Sequence, residues 1–252
     1  SYHKVSFCTF QYCIFSLRVY NTNKTRHSLR NYMEEEEMSK SKLREPVNAW
    51  THLGGAIFFF VSTLVMLGHR VVTEASVKSI VGVLIFGLSL VLLYLASGIY
   101  HGYQGSEKVI GRLKKLDHSM IYVLIAGSYT PMCLMVLEGT QRLVILSVVW
   151  GIALFGILSK IFIQGIPRAI YTSFYLLMGW MVVFFIGDVY RSIPQGGFYL
   201  LLMGGILYSI GGFIYMIKKP NVSRLFGFHE IFHLFILGGS LMHYFFTFFY
   251  LA

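Results

Sequence analysis

The chain has 252 residues, of which 56% are hydrophobic, 17% aromatic and only 13% charged. Soluble domains carry about 25% charged residues, so a soluble enzyme or binding module is excluded and an integral membrane protein is expected. The formal net charge of +10 does not predict a nucleic-acid partner, because the basic residues lie in the tail and between apolar runs, where topology signals sit.

Residues 1–43 read as a tail. The mixed apolar patch from Val5 to Leu17 is short and is interrupted by Thr9, Gln11 and Ser16, so it does not span a bilayer. No small-residue cleavage site follows it, so a leader peptide is not expected. Met33 opens "MEEEEMSKSKLREPVNAW" in the manner of a natural start. The upstream stretch is therefore expected to be disordered or an over-extended gene model, and the glutamates at 34–37 to be solvated. Cys8 and Cys13 have the wrong spacing for a CxxC pair, and Cys133 lies inside an apolar run, so no disulfide or metal framework of cysteines is expected.

Residues 44–252 read as one membrane domain. Seven segments are apolar over nearly the length a bilayer requires: 51–68, 79–101, 118–137, 143–163, 171–187, 198–217 and 232–250. A backbone in lipid must satisfy its own polar groups, so each predicts a helix. Period-2 alternation is absent, which argues against a barrel. The expected fold is all-α, a seven-transmembrane-helix bundle. Pairs of small residues at Gly54–Gly55, Gly98 with Gly102, Gly204–Gly205, Gly211–Gly212 and Gly238–Gly239 mark places where helices can approach closely. The aromatic run "HYFFTFFY" of the last segment reads as lipid-facing bulk and an interfacial belt. Counted from Met33, twelve Lys and Arg fall on the N-terminal side of the membrane and four (Arg70, Lys78, Arg142, Arg191) on the other. This places the N-terminus in the cytoplasm and the C-terminus outside.

With that topology, the polar groups of distant segments fall at one depth. Asn48 and His52 open the first span, Ser97 and His101 close the second, Asp117 precedes the third, and His229 and His233 open the seventh. Ionisable groups at the rim of an apolar layer are costly, and a cluster at one depth suggests a site. Two histidines at i and i+4 share a helical face, a common way to hold zinc, and His101 supplies a third imidazole. Three histidines leave one tetrahedral position open for water, the catalytic arrangement. Asp117 then has two readings, an N-cap of the third helix or a proton acceptor beside that water. Ser97 is either a packing residue or a hydrogen-bond donor to the water or a developing oxyanion. Asn48 and His52 are candidates to orient the ligands. His243 reads as a contact inside the bundle, and His69 and His118 as loop or interface residues.

The stretches "REPVNAWTHLGGAIFF", "SGIYHGY", "LKKLDHSMIY", "GSYTP" and "GFHEIFHLFILGGSLMHY" together resemble the hemolysin III family, the bacterial branch of the progestin and adipoQ receptor superfamily. The resemblance covers residues 44–252. Its motifs are Glu45, Asn48 and His52; Ser97 and His101; Asp117; and His229 and His233. It implies a multi-pass protein of the bacterial plasma membrane with a zinc ion held by His101, His229 and His233. It implies that Asp117 and Ser97 lie near the metal-bound water, with Glu45, Asn48 and His52 behind the ligands. In the wider superfamily such a site is associated with hydrolysis of lipid amides. The expected partners are membrane lipids, one of them a substrate amide or ester. The alternatives are a non-enzymatic sensor or homeostasis protein and, from the family's name, a pore-forming cytolysin.

Overall fold

The computed structural model describes residues 42–163, 165–223 and 226–251. Residues 1–41, with Cys8, Cys13 and the glutamate run, lie outside these, as does Arg224 of the topology count. The described residues contain helices and no strand: α1 (Pro46–Val72), α2 (Val77–Gly102), α3 (Glu107–Val136), α4 (Gly139–Phe162), α5 (Arg168–Gly179), a 3₁₀ segment (Trp180–Phe185), α6 (Ile186–Ser192), α7 (Gln195–Ile217) and α8 (Phe228–Tyr250). Seven spans are long and apolar enough to cross a membrane, the fifth built from α5, the 3₁₀ segment and α6.

Every span starts before its apolar run, because polar residues at the rim continue or cap the helix. Pro46 occupies the first turn of α1, where its missing N–H costs nothing. Ser76 caps α2 by accepting from the Ser79 N–H at 3.3 Å. The largest difference is in α3, which begins at Glu107 rather than near residue 118. Its first turns carry Lys108, Arg112 and Lys114, which are exposed, and Lys115, whose Nζ donates to the Ile161 carbonyl at 2.9 Å. Asp117 is therefore inside the helix and caps nothing, and His118 is a buried helical residue rather than a loop residue.

The fifth span is broken by a side chain from another helix. The Tyr129 hydroxyl of α3 donates to the Gly179 carbonyl at 2.6 Å and accepts from the Val182 N–H at 2.9 Å. A polar group inserted in the ladder in this way re-satisfies backbone groups that the turn of 3₁₀ helix would leave bare. The α2–α3 contact is close enough that a β-carbon on Gly82 would lie 2.8 Å from the Pro131 Cα, so only glycine fits there. The last-span aromatics differ from expectation: Tyr244 and Phe246 are buried with Thr247, and of that run only Phe249 is strongly exposed. Hydropathy does not separate a lipid-facing ring from a core ring, since both environments are apolar.

α1 and α8 are pinned together at both ends. At one end Asn48 meets Glu230. At the other, Arg70, which is 1% exposed, sends Nη2 to the carbonyls of Thr247 (2.9 Å), Phe248 (3.2 Å) and Leu251 (2.9 Å). These groups close α8, and the cation sits at the negative end of its dipole. Replacing Arg70 by Met removes the charge-assisted bonds and is expected to destabilise the detergent-solubilised protein by about 2–4 kcal/mol. Arg191→Met, at an exposed ion pair, is expected to cost under about 1 kcal/mol. Thermal unfolding of the two variants beside wild type checks this.

Candidate metal centre

The three predicted histidines come together. His229 and His233 occupy the first two turns of α8, and His101 the last turn of α2. One ring nitrogen from each lies within 4.8 Å of the others. The ring centroids form a near-equilateral triangle, 4.9 Å from His101 to His229, 4.8 Å from His101 to His233 and 4.7 Å from His229 to His233.

The remaining bonds of these rings fit a metal. His101 Nδ1 donates to Glu45 Oε2 at 2.6 Å, which fixes the proton on that nitrogen. Its Nε2 is buried and has no partner among the described residues, and the same holds for His233 Nδ1. A buried polar atom left unpaired is expensive, and a carboxylate behind an imidazole with the opposite nitrogen free is the usual support of a metal-bound histidine. Three imidazoles and no thiolate suit a divalent transition metal.

The backbone places Glu45. Its N–H donates to the His101 carbonyl at 2.9 Å, so the residues leading into α1 lie along the end of α2. Burial works to raise the Glu45 carboxyl, but the bond from His101 and the neighbouring Arg44 guanidinium hold it down at about 2. It is therefore an acceptor throughout the physiological range. Asn48 Nδ2 lies 3.3 Å from Glu45 Oε2 and donates to Glu230 Oε1 at 2.7 Å. Glu230 Oε2 in turn accepts from the Gly227 N–H at 2.7 Å, closing the first turn of α8. One chain of bonds thus links both histidine-bearing helices through α1. Sequence reading missed Glu230. Its signal was a glutamate three residues into a helix start, between the two histidines.

His52 does not hydrogen-bond a ligand. It stacks on His233 with centroids 3.7 Å apart and 19° between planes, and both its ring nitrogens are buried without a hydrogen-bond partner among the described residues. Ser97 and Asp117 are both buried, and the Ser97 hydroxyl faces the Asp117 carboxyl. They line a cavity of about 160 Å³ together with His52, His118, His229 and His233. From there the cavity runs between apolar side chains of α3, α5, α7 and α8 as far as Phe246 and Thr247. His243 faces it too, its Nε2 3.4 Å from the Leu201 carbonyl, in keeping with a contact inside the bundle. His69 lies in the last turn of α1 against Phe248, at the other end of the bundle.

These features define a class: a multi-pass membrane protein with a three-histidine cluster at one end of the bundle and an apolar cavity leading away from it. The family model described as "Haemolysin-III related" matches residues 40–244, and the chain belongs to that family. The Hemolysin-3 homolog of Bacillus subtilis (strain 168) is 41% identical over 206 residues, 82% of this chain and 93% of that protein. Hemolysin-3 of Bacillus cereus is 37% identical over 213 residues, 84% and 94% of the two chains. Heptahelical transmembrane protein 1 of Arabidopsis thaliana is 28% identical over 225 residues, 79% of this chain and 67% of its own. Seven apolar spans and bacterial relatives matched along nearly their whole length make this a multi-pass protein of the bacterial cell membrane.

Glu45→Gln keeps the shape of the side chain but removes its charge from His101. It is expected to weaken divalent-metal binding by about 10–100-fold, measured by competition with a chromophoric chelator. Glu74→Gln, on the loop after α1, is expected to leave affinity unchanged.

Proposed function

We propose that the protein is a zinc-dependent hydrolase that cleaves a lipid amide or ester at the cytoplasmic face of the membrane. The observation that carries this reading is the buried Nε2 of His101, without a partner among the described residues, its ring held by Glu45 and set beside two more imidazoles, where the cluster adjoins an apolar cavity walled by Ser97 and Asp117. The N-terminus-inside topology supports the cytoplasmic side, with the basic loops at the cluster's end of the bundle.

Zinc on His101, His229 and His233 would supply Lewis acidity and a nucleophile at neutral pH. The chain's own residues do the rest. Glu45 holds the His101 tautomer and ring plane. Asp117 is the group placed to accept a proton at its carboxylate, and the Ser97 hydroxyl is placed to donate to that carboxylate or to developing negative charge. The apolar wall of the cavity takes a hydrocarbon chain and keeps bulk water from the reacting bond.

A second reading has its own support. α2 and α8 are joined deeper in the bundle by the Tyr94 hydroxyl, which donates to the Ser240 hydroxyl at 2.8 Å, and an ion bridging their histidines would brace the rim in a protein that senses rather than cleaves. The printed names of the two Bacillus relatives add cytolysis as a third.

Asp117→Asn discriminates among them. The hydrolase reading expects metal content to stay within error of wild type while turnover of a fluorogenic lipid amide or ester falls by about 10²–10⁴-fold. Full turnover in this variant would contradict it. Under the bracing reading the variant is silent and removal of the metal lowers the unfolding temperature. Under the cytolytic reading purified wild type releases dye from liposomes.

A further inference from the structure

Two cations at the cluster's end of the bundle lie against tyrosines that line the cavity. Lys160, in the last turn of α4, places Nζ 3.1 Å from the centroid of the Tyr171 ring. Arg168, at the start of α5, places its guanidinium 4.3 Å from the centroid of Tyr215 and 5.4 Å from that of Phe228. The two tyrosine hydroxyls lie 3.3 Å apart, and both tyrosines line the cavity beside His118 and His229. Among the described residues neither cation has a carboxylate within salt-bridge distance. Arg44, by contrast, lies over Tyr100 but is paired with Glu45 at 3.2 Å.

Topology alone does not require this arrangement. A positive-inside signal needs only a charge near the end of a span, and Lys108 and Arg112 meet that need from exposed positions in the first turns of α3. Lys160 and Arg168 are instead half-buried and folded onto aromatic faces, a fixed placement that costs side-chain entropy. Both charges act on His118, and that of Arg168 on His229. A cation pair with no carboxylate partner among the described residues, one tyrosine ring from an apolar cavity, is complementary to a molecule that carries an anion at one end and a hydrocarbon chain at the other. Arginine presents a planar fork and lysine a point charge, the combination that suits phosphate oxygens.

We propose that Lys160 and Arg168 form a headgroup site for an acidic phospholipid, with the phosphate on the two cations and one acyl chain in the cavity. The proposal rests on the hydrolase reading in that it names the class of lipid the same site takes, while capture itself requires no turnover.

The test offers the full chain equimolar phosphatidylglycerol and phosphatidylcholine of identical chains in mixed micelles and reads retained lipid by native mass spectrometry. Wild type is expected to retain the acidic lipid about tenfold over the zwitterionic one, the order that cations beside an anionic headgroup produce. Lys160→Gln/Arg168→Gln is expected to lose that preference, and the charge-keeping Lys160→Arg/Arg168→Lys to keep it. Lys108→Gln/Arg112→Gln, which removes the same charge from exposed positions, is expected to keep it as well. Equal retention of the two lipids by wild type overturns the proposal, as does an equal loss in the Lys108/Arg112 pair. Excess inorganic phosphate is expected to leave the lipid bound; displacement by phosphate alone would mean a site for the free ion and overturn the lipid assignment. Retained preference with hydrolysis of neither lipid would contradict the hydrolase reading and leave the headgroup site standing. Equal hydrolysis of both lipids without preference would do the reverse.

Discussion

The site depends on one hydrogen bond at the edge of the apolar layer, from His101 Nδ1 to Glu45 Oε2 at 2.6 Å. An imidazole alone at that depth has two polar nitrogens and no reason to hold either in a given state. The carboxylate settles both: it takes the proton on Nδ1 and leaves a lone pair on Nε2, buried and facing two other histidines. The backbone bond from the Glu45 N–H to the His101 carbonyl sets the distance, and the bridge through Asn48 to Glu230 carries the same constraint to α8. Three helices from the two ends of the chain are thus fixed relative to one another by a few polar contacts. In lipid, where apolar burial drives association of helices only weakly, such contacts carry much of the specificity.

The far end of the bundle follows the same rule. Arg70 is buried with no carboxylate partner among the described residues, yet three carbonyls at the close of α8 receive it. α1 and α8 therefore lie parallel, held at one end by an amide between carboxylates and at the other by a guanidinium among carbonyls. Between these ends rings meet, as where Phe59 of α1 lies edge-on to Tyr244 of α8 with centroids 6.5 Å apart. The cavity runs beside this frame, lined from α3, α5, α7 and α8.

Much of this was legible in the sequence. Seven apolar runs became seven spans, and the three histidines, Ser97 and Asp117 converge because a bundle of fixed direction brings alternate segment ends to one depth. What was not legible involves partners distant in sequence. Asp117 read equally well as a cap because hydropathy marks where the apolar layer begins, not where the helix does, and α3 runs on through Lys114 and Lys115. The break in the fifth span has no proline to announce it; its cause is the hydroxyl of Tyr129, some fifty residues earlier in the chain. Tyr244 and Phe246 were assigned to lipid because a greasy core and a greasy solvent select the same residues. Lys160 and Arg168 were counted as topology charges, and only the tyrosines beneath them separate them from Lys108 and Arg112.

The most direct test of the central claim is metal analysis of the detergent-purified protein, wild type beside a His229→Ala/His233→Ala double variant that retains its helical circular dichroism. The account predicts about one zinc per chain in wild type, consistent with a site of three imidazoles, and loss of that zinc in the variant. A wild-type protein that takes up no metal when supplied with zinc, or a variant that keeps a full equivalent, would contradict it.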